Sequence, residues 1–146
     1  MKKNNKGFSL VELIIVIAIM AILAGALAPA LIKYINKSRM STDISNADTI
    51  RSAVQTAMSN ENAMACLPSG KTSKTVDSWK AFSDFGSEFG QILGKNAMTG
   101  KYYDKGQEFM IEIDVSKNTV CVYSGGTQKV VLSGSSSDGK KVGDTY

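Results

Sequence analysis

The chain has 146 residues, a formal net charge of +4, 43% hydrophobic residues, two cysteines and no histidine. Without histidine, Ser-His-Asp and Cys-His catalytic arrangements are excluded, two cysteines cannot furnish a four-ligand zinc site of nitrogen and sulfur donors, and no phosphate loop of the Gly-x4-Gly-Lys-Ser/Thr type occurs. Lys2, Lys3 and Lys6 account for most of the positive balance, so charge alone gives no ground for nucleic-acid binding, and the reading is of a chain that is not an enzyme and holds neither metal nor cofactor.

The first element is a short basic leader, Met1–Gly7, followed by an apolar run from Phe8 to Ile32 in which Glu12 is the only charge. As a helix this run spans about 37 Å, enough to cross a hydrocarbon core of about 30 Å. Glu12 lies one turn inside its start. In a membrane-inserted monomer it stays near the headgroups, and its cost becomes serious only if that end of the helix moves into an apolar environment. There it needs a cation. A cut after Gly7 would supply one, the α-amine of Phe8, which is largely protonated at neutral pH with a reference pKa of about 7.7–8.0.

Ala18, Ala21, Gly25 and Ala28 recur on one face of this helix, the kind of small-residue face that lets helices approach closely in lipid. Pro29 lacks an N–H and sets its ring against the carbonyl of Gly25, so a kink or an unwound stretch is expected over Gly25–Pro29. An ordinary secretory signal would instead be cut after Ala24-Gly25-Ala26 and leave Leu27 first. The apolar run nevertheless continues to Ile32, which a cleaved signal does not require. Lys2, Lys3 and Lys6 before the run nearly balance Lys33, Lys37 and Arg39 after it, so the positive-inside count does not fix orientation.

From Met40 the pattern turns amphipathic. Met40, Ile44, Ala47, Ile50, Val54, Ala57 and Met58 follow helical spacing, with Asp43, Asp48, Arg51 and Gln55 elsewhere on the wheel. The helix is expected to continue to about Ala65, stopped by Pro68 and Gly70. Val76, Trp79, Phe82, Phe85, Phe89, Ile92 and Leu93 are expected to build a core from one or two short helices broken at Gly86, Gly90 and Gly94. Glu108–Val115 alternates with a period of two, with Glu112 and Asp114 on its solvated face. Thr119–Tyr123 and Gln128–Leu132 follow after turns at Ser116-Lys117-Asn118 and Gly125-Gly126, giving a three-stranded antiparallel meander. Residues 133–146 read as a loose Ser/Gly-rich tail. Cys66 and Cys121 fall at the helix end and in the middle strand, and their spacing fits either a disulfide or two separate buried thiols.

The basic leader ending in Gly7, then Phe8, Ser9, Glu12 and an apolar helix carrying Pro29, resembles the start of type IV prepilins and the related pseudopilins. The resemblance covers roughly Met1 to Arg39. It implies an α+β fold, in which a long N-terminal helix with a membrane-spanning half and an amphipathic half is packed by a small antiparallel β-meander head. The implied organisation is leader 1–7, membrane or filament-core helix 8–32, amphipathic half 33–66, head 67–132 and tail 133–146.

The resemblance further implies that a prepilin peptidase cuts between Gly7 and Phe8 and N-methylates Phe8. A single-pass subunit, N-in and C-out in a bacterial membrane, then joins a helical homo-oligomeric filament at the cell surface. Glu12 would meet the Phe8 amine of a neighbour during assembly, with an assembly ATPase and a membrane platform protein as partners. Gly25 and Pro29 would mark the helix break, and Thr49 stands near the place where many pilins carry a second proline. Pilins often close their C-terminal loop with a disulfide, which the Cys66–Cys121 pair does not do. The acidic calcium loop usual in major pseudopilins is not matched by Asp138 and Asp144 among lysines. A pseudopilin of type II secretion or of a DNA-uptake machine, with nucleic acid as partner only in the latter, and a non-polymerising membrane-anchored surface protein are the alternative readings.

Overall fold

Helix α1 runs from Leu10 to Met58, 49 residues without interruption, in a computed structural model that describes residues 7–94, 98–126, 130–134 and 140–141. The chain divides into two units, Met1–Lys37 and Ser38–Tyr146. In the first, every described residue from 7 to 35 is exposed, including Ile14, Ile15, Val16, Ile17, Ile19 and Leu23. A run so rich in β-branched residues has modest helix propensity in water and buries nothing within its own chain. Its natural surroundings are lipid or other helices, where a helix satisfies every backbone group internally.

The helix continues through Gly25 and Pro29 without an unwound stretch. Proline removes one backbone donor and leaves one carbonyl unpaired, while the hydrogen bonds on either side remain to hold the turn. Pro29 thus weakens this stretch without opening it.

In the second unit, α1 buries Asp43, Ala47, Ile50, Ala53, Val54 and Ala57, a stripe at helical spacing. The solvent side of this stretch is rich in small hydroxylated residues. The Oγ1 hydroxyls of Thr42, Thr49 and Thr56 each donate to the carbonyl four residues back, on Ser38, Ser45 and Ser52, at 2.9 Å.

The helix ends at Met58, short of the expected Ala65. Asn60 takes an extended conformation (φ −83°, ψ 121°) and its side chain accepts from the backbone N–H groups of Asn62 and Ala63, at 3.0 and 3.5 Å. This cap starts a separate helix, α2 (Glu61–Ala65), in competition with continuation of α1.

Strand β1 (Lys71–Thr75) follows, then α3 (Val76–Lys80) capped by the Thr75 hydroxyl, which accepts from Ser78 N–H at 3.3 Å, then α4 (Ser83–Leu93). Helix α4 passes through Gly86 and Gly90, which were expected to break it, and stops at Gly94. Gly86 is there for proximity: a Cβ on it would lie 2.5 Å from the carbonyl oxygens of both Trp79 and Lys80.

Strands β2 (Met110–Asp114), β3 (Thr119–Tyr123), β4 (Val130–Ser133) and β5 (Lys140–Lys141) complete a five-stranded sheet in sequential order. β1 to β4 are antiparallel, and β5 runs parallel to β4. The expected meander therefore forms the centre of a wider sheet. The remainder of the expected tail, and residues 128–129 of the third strand, lie outside the described residues.

The core gathers Trp79, Phe85 and Phe89 with Ile50 and Val54 of α1, Phe109, and Ile111, Ile113 and Val122 of the sheet. Trp79 Nε1–H donates to the Ile111 carbonyl at 3.0 Å, tying α3 to β2, and meets Phe85 edge-on with centroids 5.5 Å apart. Of the expected core residues, Ile92 proves exposed.

Asp43, read from the helical wheel as lying off the core face, is fully buried. Its carboxylate accepts the backbone N–H groups of Lys101, Tyr102 and Tyr103 at 2.7, 2.8 and 3.0 Å. The receiving loop is held shut by the Thr99–Glu108 bridge and by Gly100 N–H donating to the Gln107 carbonyl at 2.9 Å. The buried charge is thereby matched by three aligned donors.

Glu112 also departs from the solvated role expected of it. It pairs with Lys71 Nζ at 3.2 Å across the β1–β2 ladder and accepts from Tyr123 Oη at 3.1 Å.

Candidate processing and assembly site

Gly7, Phe8 and Ser9 precede the first helical residue and have no regular secondary structure. Gly7 has open space where a Cβ would stand, and the Phe8 ring is 82% exposed. The Gly7–Phe8 peptide bond thus lies outside the helix, where its carbonyl is not committed to the helical ladder.

Helix α1 then begins with a recognisable local device. Ser9 supplies the first accepting carbonyl, to Leu13 N–H at 3.2 Å, and Glu12 reaches back so that its Oε2 accepts the Ser9 backbone N–H at 2.9 Å. This is the acidic half of a capping box, which satisfies an otherwise orphaned donor and sets a negative charge at the positive end of the helix. The sequence reading treated Glu12 only as a membrane-embedded carboxylate and missed this. The Ser9-x-x-Glu12 spacing ahead of an apolar run was the available signal.

The arrangement offers no nucleophile–base pair, and no group of His, Cys, Asp or Glu residues suited to a metal ion occurs among the described residues. What it offers is a peptide bond ahead of the helix, an exposed aromatic residue after it, and a carboxylate on the helix start. Behind them α1 carries the one stretch among the described residues long and apolar enough to cross a membrane.

Gly25 and Pro29 stand mid-way along this exposed helix, and a Cβ on Gly25 would meet nothing within 4 Å. The two cysteines are far from it in sequence and are both free thiols. Cys66, partly exposed, directs its thiol at Asp84 Oδ2, 3.9 Å away. Cys121 is buried in a small separate cluster with Tyr123 and Val131. The expected alternative of a Cys66–Cys121 disulfide is therefore not realised: one thiol flanks α2 and α4 and the other occupies the sheet face away from the main core.

From Gly7 the chain thus reads Gly-Phe-Ser-x-x-Glu and continues as a fully exposed apolar helix segment. Residues 2–28 match the family described as the prokaryotic N-terminal methylation motif. Type IV major fimbrial protein FimA of Dichelobacter nodosus is 39% identical over 74 residues, covering 51% of this chain and 42% of that protein. The fimbrial protein of Moraxella nonliquefaciens is 39% identical over 67 residues, 46% of this chain and 42% of that one. FimA of D. nodosus strain VCS1703A is 45% identical over 51 residues, 35% of this chain and 32% of the relative.

The similarity to the motif and to these relatives lies in the amino-terminal part of the chain. The chain spans less than half the length of these relatives. No solved structure matches it.

Proposed function

We propose that the chain is a structural subunit of a type IV pilus-like filament, assembled through its N-terminal helix after removal of Met1–Gly7. The observation that carries this reading is the fully exposed apolar segment from Phe8 onward, headed by an accessible Gly7–Phe8 bond and by Glu12. A prepilin peptidase cuts that bond and N-methylates Phe8. The subunit then waits in the membrane, N-in and C-out, with Glu12 held on its own helix start at the lipid boundary.

An assembly ATPase and a membrane platform protein move it into the polymer at the cell surface. There the residue 8–32 helices pack together, and Glu12 meets the Phe8 amine of an adjoining subunit. Burying that carboxylate unpaired would cost several kcal/mol (on the order of 3–5), so the pair sets axial register. Gly25 and Pro29 form the weak point where the helix opens under packing or load, a change that the continuous helix of the single chain leaves to the filament.

The deciding experiment is mass spectrometry of the mature N-terminus together with recovery of sheared filaments. A chain beginning at methylated Phe8 in the filament fraction is expected. A chain beginning at Met1 or Leu27, or one never found in filaments, overturns the reading.

A further inference from the structure

We propose that Lys33 and Lys37, with Tyr34 beside them, form a basic collar that binds the phosphate headgroups of anionic phospholipid while the subunit resides in the membrane. This rests on the membrane residence proposed above and names the lipid class that the resting subunit selects.

Position is the first argument. With Leu10–Ile32 covering about 34 Å of helix, the residues that follow emerge into the headgroup layer of the leaflet opposite Glu12. Lys33 and Lys37 stand one helical turn apart on one face, both exposed.

Charge is the second. No acidic residue occurs between Glu12 and Asp43, and Asp43 is fully buried and turned to the Lys101–Tyr103 backbone. Glu12 is engaged with Ser9 at the far end of the apolar run. The two ammonium groups therefore have no counter-ion on their own stretch of helix, and none of the ion pairs among the described residues includes them.

Tyr34, 74% exposed, adds an amphipathic ring of the type that settles at membrane–water boundaries. Anionic headgroups complement this set in charge and lie at the depth where it emerges. Juxtamembrane lysines gain most from such a surface within a Debye length.

The test reconstitutes the full chain in bilayers and compares motionally restricted spin-labelled phosphatidylglycerol with spin-labelled phosphatidylcholine. The wild type should favour phosphatidylglycerol by about threefold, weakening as salt rises. The double variant Lys33→Gln/Lys37→Gln should show no preference, and Lys33→Arg/Lys37→Arg should keep it.

Equal restriction of both lipids by the wild type overturns the collar and leaves membrane residence standing. A preference that survives the glutamine substitutions also overturns it. No restricted lipid of either kind overturns membrane residence and the collar together. If the wild type shows no preference and the glutamine variant fails to polymerise, the lysines face an acidic surface of another protein, and the lipid assignment is wrong.

Discussion

The Asp43 carboxylate and the Lys101 backbone N–H meet at 2.7 Å across 58 positions of sequence. With Tyr102 and Tyr103 donating to the same side chain, this contact fastens a surface loop to α1. Asp43→Asn keeps the shape but replaces one accepting oxygen by a donor that faces N–H groups. The expected loss is about 2 kcal/mol, with a larger loss for Asp43→Ala, read from urea unfolding of the full chain in micelles by Trp79 fluorescence.

The observed helix-start contact of Glu12 and its proposed role in assembly can be separated by substitution. Glutamine also accepts a backbone N–H at the third helical position, so Glu12→Gln should preserve the helix start while removing the charge. Leader removal should persist in both Glu12→Gln and Glu12→Val, and sheared filaments should fall steeply in both. Wild-type filament yield from Glu12→Gln would reduce the residue to a helix cap.

At the proposed processing site, a bulky charged residue such as Gly7→Lys should leave the leader attached. Mass spectrometry would then find the intact N-terminus in the membrane fraction, with the helix beyond Leu10 unaffected.

The thiols should differ in reactivity. Burial pushes the Cys121 thiol above its ordinary value, with a hydrogen bond to Tyr123 partly offsetting this. It should therefore resist maleimide in the folded chain, while Cys66 labels; both should label in denaturant. Because the folded state holds the Cys121 proton more tightly than the unfolded chain does, stability is retained below the ordinary thiol value of about 8.5 and declines as pH rises past it. Cys121→Ser should lessen that alkaline decline.

Gly86→Ala sets two effects in opposition. Helix propensity favours alanine by about 1 kcal/mol, while a Cβ placed 2.5 Å from two carbonyl oxygens forces the α3–α4 junction apart at a cost of about 1–3 kcal/mol. Steric cost should win, lowering the unfolding midpoint of the same Trp79 signal.

Periodicity revealed the elements whose faces differ in polarity. The amphipathic stripe of α1 and the strands Met110–Asp114 and Thr119–Tyr123 were legible because burial on one side imposes a pattern. Strand β1 was not, since Lys-Thr-Ser-Lys-Thr at a sheet edge has no apolar face to betray it. Asp43 escaped because its partners are backbone groups far along the chain, which no local pattern encodes. The stop at Met58 turned on the Asn60 cap, a local signal overshadowed by the more obvious Pro68 and Gly70. Of the processing site, Gly7, Phe8 and Glu12 were readable as a motif, whereas the reach of Glu12 back to Ser9 needed side-chain geometry.

The threonines at positions 42, 49 and 56 recur every seven residues, each hydroxyl drawing on a carbonyl of the same flank of the rod. Such side-chain bonds bend a helix slightly, and bends that share an azimuth accumulate where scattered ones would cancel. The second half of this helix is thereby given a preferred sense of flexure, yielding more readily to one side than the other when pulled.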